Sequence, residues 1–185
     1  MTIERPPEPW RAFLSALDGL ARERIELHCI GGFAVSLRYG LGRPTRDLDV
    51  AHVIPNDAAK WLTDVAGRDS DLHARHKVYL QIVSVATLPY HYADRLAEMF
   101  TGYCGRLRLL VLDPYDLALS KLPRNLAVDR QDVRYLAKTQ QFDLGAFARR
   151  YREELRPYVT GAPDTHDLTL KLWIDAIEEE RAGQP

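Results

Sequence analysis

Two glycines and two aspartates constrain this chain more than any other feature. Gly31-Gly32 closes the apolar run Ile25 to Ile30, and Asp47-Leu48-Asp49 opens the run Leu48 to Ile54. Residues i and i+2 of an extended strand face the same way, so both carboxylates can point into one site. Two oxygen anions held that close suit a hard divalent cation, magnesium or manganese, that carries substrate phosphates. Between the pairs, Phe33 to Tyr39 reads as a short helix that starts directly after the glycines. Its first backbone N–H groups, beside glycines that let a phosphate approach closely, make an anion-binding corner opposite the metal.

The order is strand, Gly-Gly turn, helix, then an Asp-x-Asp strand one helix downstream. It reads His28-Cys29-Ile30-Gly31-Gly32-Phe33-Ala34, then Arg43-Pro44-Thr45-Arg46-Asp47-Leu48-Asp49-Val50. This resembles the nucleotidyltransferase superfamily typified by DNA polymerase β. The Arg-x-Thr-x-Asp-x-Asp form is similar to its small prokaryotic branch, which includes abortive-infection and toxin-antitoxin nucleotidyltransferases. A second stretch, Asp116-Leu117-Ala118-Leu119-Ser120-Lys121 followed by Asp129-Arg130-Gln131-Asp132-Val133, looks like that branch's second motif, a helix lysine and then an Arg-x-Asp element. The likeness covers roughly residues 25 to 136.

The resemblance implies an enzyme that moves a nucleoside monophosphate from an NTP to an acceptor hydroxyl, with magnesium or manganese as cofactor. The acceptor it implies is an RNA such as tRNA, or a small molecule, and the branch adds a cognate antitoxin protein as partner. It makes Asp47 and Asp49 the metal ligands, and Asp47, Asp49, Lys121 and Asp132 the catalytic set. Nucleotide binding falls to Gly31, Gly32, Arg43, Thr45, Lys121 and Arg130, with Arg43 on the phosphate side and Thr45 as the hydroxyl that orients the turn.

Several of these residues have plainer readings. Asp-x-Asp at a strand start is commonly a solvated edge, and Arg43 and Arg46 could simply pair with the aspartates. Lys121 reads either as a solvated helix residue or, on a helix opened by Asp113-Pro114, as a group reaching a triphosphate. The superfamily's active members often carry a third carboxylate on a neighbouring strand, as general base on the acceptor hydroxyl. The matching run here, Lys77 to Ala86, holds no acid, and Gln81 is its central polar residue. A neutral amide is a poor proton acceptor and a weak metal ligand. Either Asp132 or a water takes the base's task, or the fold has lost catalysis and kept NTP binding.

Composition bounds the remainder. At 185 residues and 46% hydrophobic content the chain supports a proper core. No apolar stretch approaches membrane-spanning length and the N-terminus does not read as a signal peptide, so the expected address is the cytoplasm. Cys29 and Cys104 give neither a disulfide framework nor a zinc set. His73 and His76, at helical spacing, read as surface residues.

Apolar periodicity places a helix over Trp10 to Glu23 and another from Asn56 to about Val65, capped by the Asn56 side chain. The Val78 to Val85 and Leu107 to Leu112 runs supply further strands. From Asp113 onward the pattern is helical, over Pro114 to Pro123, Asp129 to Thr139, Asp143 to Leu155 and Asp164 to Arg181. The fold expected is α/β (α+β), a small mixed sheet flanked by helices, with residues 1–112 as nucleotidyltransferase core and 113–185 as a C-terminal helical bundle packed on it. Arg149-Arg150 and the stretch Tyr151 to Arg156 make a locally basic helix. It reads as a solvated face laced by Glu153 and Glu154, or as a contact for an RNA backbone.

Overall fold

The computed structural model describes residues 5–160 and 163–183. Its long-range contacts divide the chain into two units, one reaching from the N-terminus to Ala86 and including Leu96–Leu112, the other formed by Thr87–Arg95 and the chain from Asp113 onward.

The first unit is built on a five-stranded mixed sheet of order β3-β2-β1-β5-β4. Its strands are β1 (Ile25–Ile30), β2 (Asp47–Ile54), β3 (Tyr79–Ile82), β4 (Ala97–Met99) and β5 (Leu107–Val111). Central β1 runs antiparallel to β2 and parallel to β5. Its odd residues Ile25, Leu27 and Cys29 are buried beside Leu107, Leu109 and Val111. In β2, Leu48 and Val50 are fully buried, whereas Asp47 and Asp49 are half-buried on the opposite face. Cys29 pairs with Val50 but His28 with His52, so Ala51 is an extra residue in β2. This bulge reverses the alternation and turns Val53 inward, keeping both apolar sets in the core without turning the aspartates into it.

Four helices complete this unit: α1 (Trp10–Leu20), α2 (Gly31–Leu37), α3 (Ala58–Ala66) and α4 (Asp71–His76). α1 buries Trp10, Phe13, Leu14 and Leu17 at helical spacing, each contributing roughly 1.5–3 kcal/mol. The Trp10 ring meets Phe33 edge-on at 4.8 Å, and Phe33 directly follows the two glycines. The core therefore anchors the start of α2. Asp18 at the other end of α1 accepts from the N–H groups of Gly105, Arg106 and Leu107 at 2.8–3.0 Å and so fixes where β5 begins.

The second unit contains α5 (Pro114–Leu119), α6 (Ala127–Thr139), α7 (Leu144–Arg150) and α8 (Pro163–Ala182). After α7 the chain passes through a π-helical turn over Tyr151–Leu155 and a 3₁₀ turn over Arg156–Tyr158. Charge pairing knits this unit. Arg95 binds Asp116 through two contacts of 2.9 and 3.0 Å and Glu154 at 2.6 Å. Arg150 binds Asp113 at 2.6 and 2.7 Å and Asp116 at 3.1 Å. Burial pushes the Asp116 carboxyl above its ordinary range, against the pull of the Arg95 hydrogen bonds. Arg150 thus braces the fold, and Glu154 serves Arg95 rather than lacing a solvated face.

Other boundaries shift from those expected. The Asn56 side chain does not cap α3, whose N-cap is Asp57 without a side-chain hydrogen bond; Asn56 offers only its carbonyl, to Ala59 N–H. The Lys77 to Ala86 run yields a strand of only four residues, because Lys77 takes a left-handed conformation (φ 63°) that ends α4 and the pairing with β2 stops near Val83. No described helix is long and apolar enough to cross a membrane.

Candidate functional site

Gly31 and Gly32, which form the first turn of α2 rather than a turn ahead of a helix starting at Phe33, meet the Asp-x-Asp strand at the C-terminal end of β1. Asp49 pairs with Ile30 across the β1–β2 ladder, which sets its carboxylate against the turn. Gly31 sits at φ +68°, and a Cβ there would lie 2.9 Å from Asp49 Cγ. Both the backbone conformation and the close approach demand glycine at this position. A Cβ at Gly32 would stand 3.5 Å from Thr45 Oγ1 and 3.8 Å from Arg43 Nη2. Gly31, Gly32, Arg43, Thr45, Asp47 and Asp49 are therefore one cluster, all half-buried.

The loop between α2 and β2 is tied down locally. Ser36 Oγ donates to the Arg43 carbonyl at 2.8 Å, and Thr45 Oγ1 donates to Asp47 Oδ1 at 2.9 Å. The threonine hydroxyl thus orients the first aspartate. α2 spans only seven residues, so an anion at this corner would depend on the close approach the glycines permit and on Arg43 more than on a helix dipole. Among the described residues no third His, Cys, Asp or Glu joins the two aspartates to form a metal-holding group.

The neighbouring strand explains why. β3 runs parallel to β2 with Tyr79 opposite Asp47 and Gln81 opposite Asp49. Paired residues face the same side, so Gln81, exposed at the sheet edge, sets a neutral amide rather than a carboxylate beside Asp49.

The second-motif residues cluster separately within the helical unit. Lys121 does not lie on α5 but in the turn that follows it, and its side chain is only 4% exposed. Its ammonium lies 2.9 Å from Asp132 Oδ2 and 3.8 Å from Asp129 Oδ1. Asp129 also accepts from Arg124 at 2.6 and 2.9 Å and from Leu126 N–H at 3.0 Å. Burial raises its carboxyl, but the Arg124 and Leu126 hydrogen bonds and the Lys121 charge outweigh that and hold it below the ordinary carboxylate range. In the sequence Asp129 reads as part of a motif and as the first residue of a helix; α6 instead begins at Ala127, which puts Asp129 three residues after Leu126, where a carboxylate caps a helix start. Arg130 is exposed and folds back to donate to the Asn125 carbonyl at 2.8 Å.

A buried ion cluster of this kind is costly to break. Lys121→Met, which leaves two buried carboxylates short of a cation, is expected to cost about 3–5 kcal/mol of folding stability. Urea unfolding checks this, with Arg130→Ala, an exposed site, expected within about 0.5 kcal/mol of wild type.

The family model described as "Nucleotidyltransferase of unknown function (DUF6036)" matches residues 13–181, nearly the whole chain. The chain belongs to this nucleotidyltransferase family. The matched span includes both clusters of this DUF6036 chain, the glycine–aspartate corner and the Lys121–Asp129–Asp132 group. No curated protein and no solved structure matches the chain.

Proposed function

We propose that this family member transfers a nucleoside monophosphate from an NTP to an acceptor hydroxyl and releases pyrophosphate, using magnesium or manganese. The observation that carries the proposal is the packing of the Asp49 carboxylate on the Gly31 Cα, with Asp47 on the same strand face.

The donor set fits the cation. Two half-buried carboxylates on one strand face offer hard oxygen ligands, and neighbouring glycines leave room for phosphate oxygens beside them. When bound, the metal neutralises charge on the triphosphate and on the oxygen that leaves. The chain's own residues do the positioning. Gly31 and Gly32 admit the phosphates, the Arg43 guanidinium balances their charge, and the Thr45 hydroxyl holds Asp47 in orientation. The acceptor oxygen bonds to the α-phosphorus and loses its proton to solvent as the bond to the bridging oxygen breaks, and pyrophosphate takes the electron pair. The second-motif assignments, Lys121 and Arg130 to the nucleotide and Asp132 to catalysis, rest on motif likeness alone, since within its own unit the Lys121 ammonium is engaged by Asp132 and Asp129. The toxin role, with an antitoxin partner, and the choice of tRNA as acceptor rest on motif likeness alone.

A second reading is supported by Gln81. With a neutral amide opposite Asp49, the site has no third carboxylate to take the acceptor's proton, as in a module that binds NTP without turning it over. Incubation with each labelled NTP, magnesium and total RNA separates the two. Label transfer supports the enzyme, and NTP binding without transfer supports the module.

A further inference from the structure

Asp47 and Asp49 are flanked by a cationic group on each side, and the sequence motifs account for only one of them. On the β1 side stands Arg43, beside the Gly32 turn. On the β3 side stands Arg68, the residue directly after the Gly67 that ends α3. Its Nη2 donates to the Tyr79 hydroxyl at 2.6 Å, and its guanidinium carbon lies 4.9 Å from the Tyr79 ring centroid. Tyr79 is itself 7% exposed and sits opposite Asp47 in the β2–β3 ladder. The arginine is exposed and yet held by a buried partner. A guanidinium has five N–H donors in a rigid fork, and the neutral Tyr79 hydroxyl engages one, which leaves donors for an oxyanion.

The chemistry of transfer assigns the two flanks. Phosphoryl transfer proceeds in line, with the incoming oxygen opposite the departing pyrophosphate. If the β- and γ-phosphates rest on the Gly31–Gly32 and Arg43 side, the acceptor enters from the β3 side, past Gln81 and Arg68.

We infer that Arg68, oriented by Tyr79, binds an anionic group of the acceptor, so that the acceptor is a phosphate-bearing hydroxyl compound rather than a neutral or cationic one. The inference rests on the transferase reading above. A cationic acceptor would meet Arg68 with repulsion, and a neutral one would leave the remaining guanidinium donors to water. Two sources share the required chemistry: the phosphodiester backbone of an RNA strand and a phosphorylated small molecule.

The test measures binding to the full chain with magnesium and a nonhydrolysable NTP present. The probes are a short fluorescein-labelled ribo-oligonucleotide, followed by anisotropy, and ribose 5-phosphate, followed by calorimetry, with ribose as the neutral control. Arg68→Ala is expected to weaken whichever anionic probe binds by roughly tenfold or more, as for loss of a hydrogen bond to a charged group. For the oligonucleotide it should also lower the salt dependence by about one phosphate contact. Arg68→Lys should recover part of the loss, and NTP affinity should stay within about twofold of wild type. Binding of the oligonucleotide alone points to RNA, and binding of ribose 5-phosphate alone points to a small acceptor. Equal affinity of both probes for wild type and Arg68→Ala, failure of both to bind wild type, ribose binding as well as ribose 5-phosphate, or an equal loss of NTP affinity overturns the inference and leaves the transferase reading standing. Failure of wild type to bind the NTP overturns both.

Discussion

Asp47→Asn and Asp49→Asn are each expected to weaken magnesium-dependent binding of a nonhydrolysable NTP by at least about a hundredfold while leaving the melting temperature in place. Groups that merely support a metal ligand cost roughly 10- to 100-fold in affinity when removed, and loss of a ligand carboxylate in a two-carboxylate site should exceed that. Asparagine keeps the shape of aspartate and one carbonyl oxygen, so Thr45 can still donate to residue 47 and residue 49 still fills the space against Gly31. Both positions are only half-buried, which limits any folding cost. Calorimetry at matched magnesium concentration, with thermal unfolding in parallel, checks the expectation. Unchanged metal-dependent binding in both variants would remove the aspartates from the site and with them the proposed transfer.

Much of this corner was legible in the sequence because its information is local. Strand parity places Asp47 and Asp49 on one face, and a glycine at the end of a strand marks a backbone that a side chain would obstruct. Gly31 is that case, with its positive φ and the Asp49 carboxylate against its Cα. The sheet's outline was readable for the same reason, since β1, β2 and β5 are apolar runs of ordinary strand length.

What escaped is what depends on partners distant in sequence. β4 is only Ala97–Met99, and it exists because β5 offers it a ladder rather than through any pattern of its own. Arg150 looked like surface charge because Asp113 and Asp116 lie more than thirty residues earlier. In the sequence, the helix that Asp113-Pro114 opens reads on through Lys121. The α5 pattern in fact ends at Leu119, and the lysine turns inward to two carboxylates of α6. Arg68 gave no periodic or motif signal at all. Only the parallel register that sets Tyr79 opposite Asp47 draws attention to it.

Gln81→Glu decides between enzyme and binding module. The residue is exposed on an edge strand and in register with Asp49, so a glutamate there adds a carboxylate beside Asp47 and Asp49 at little cost to folding. General-base help is worth about 10²- to 10⁴-fold, and a transferase limited by its missing base should gain transfer rate within that range. The comparison is the transfer rate of wild type, Gln81→Glu and Asp132→Asn under the same magnesium and NTP. A gain in Gln81→Glu identifies the amide as standing where the base belongs. Robust wild-type transfer that Gln81→Glu leaves unchanged and Asp132→Asn abolishes assigns the base's work to Asp132, provided urea unfolding shows that the buried pair with Lys121 tolerates the change. If no variant transfers label while all still bind NTP, the neutral residue opposite Asp49 reflects lost catalysis, and the glycine–aspartate corner belongs to an NTP-binding module rather than an active site.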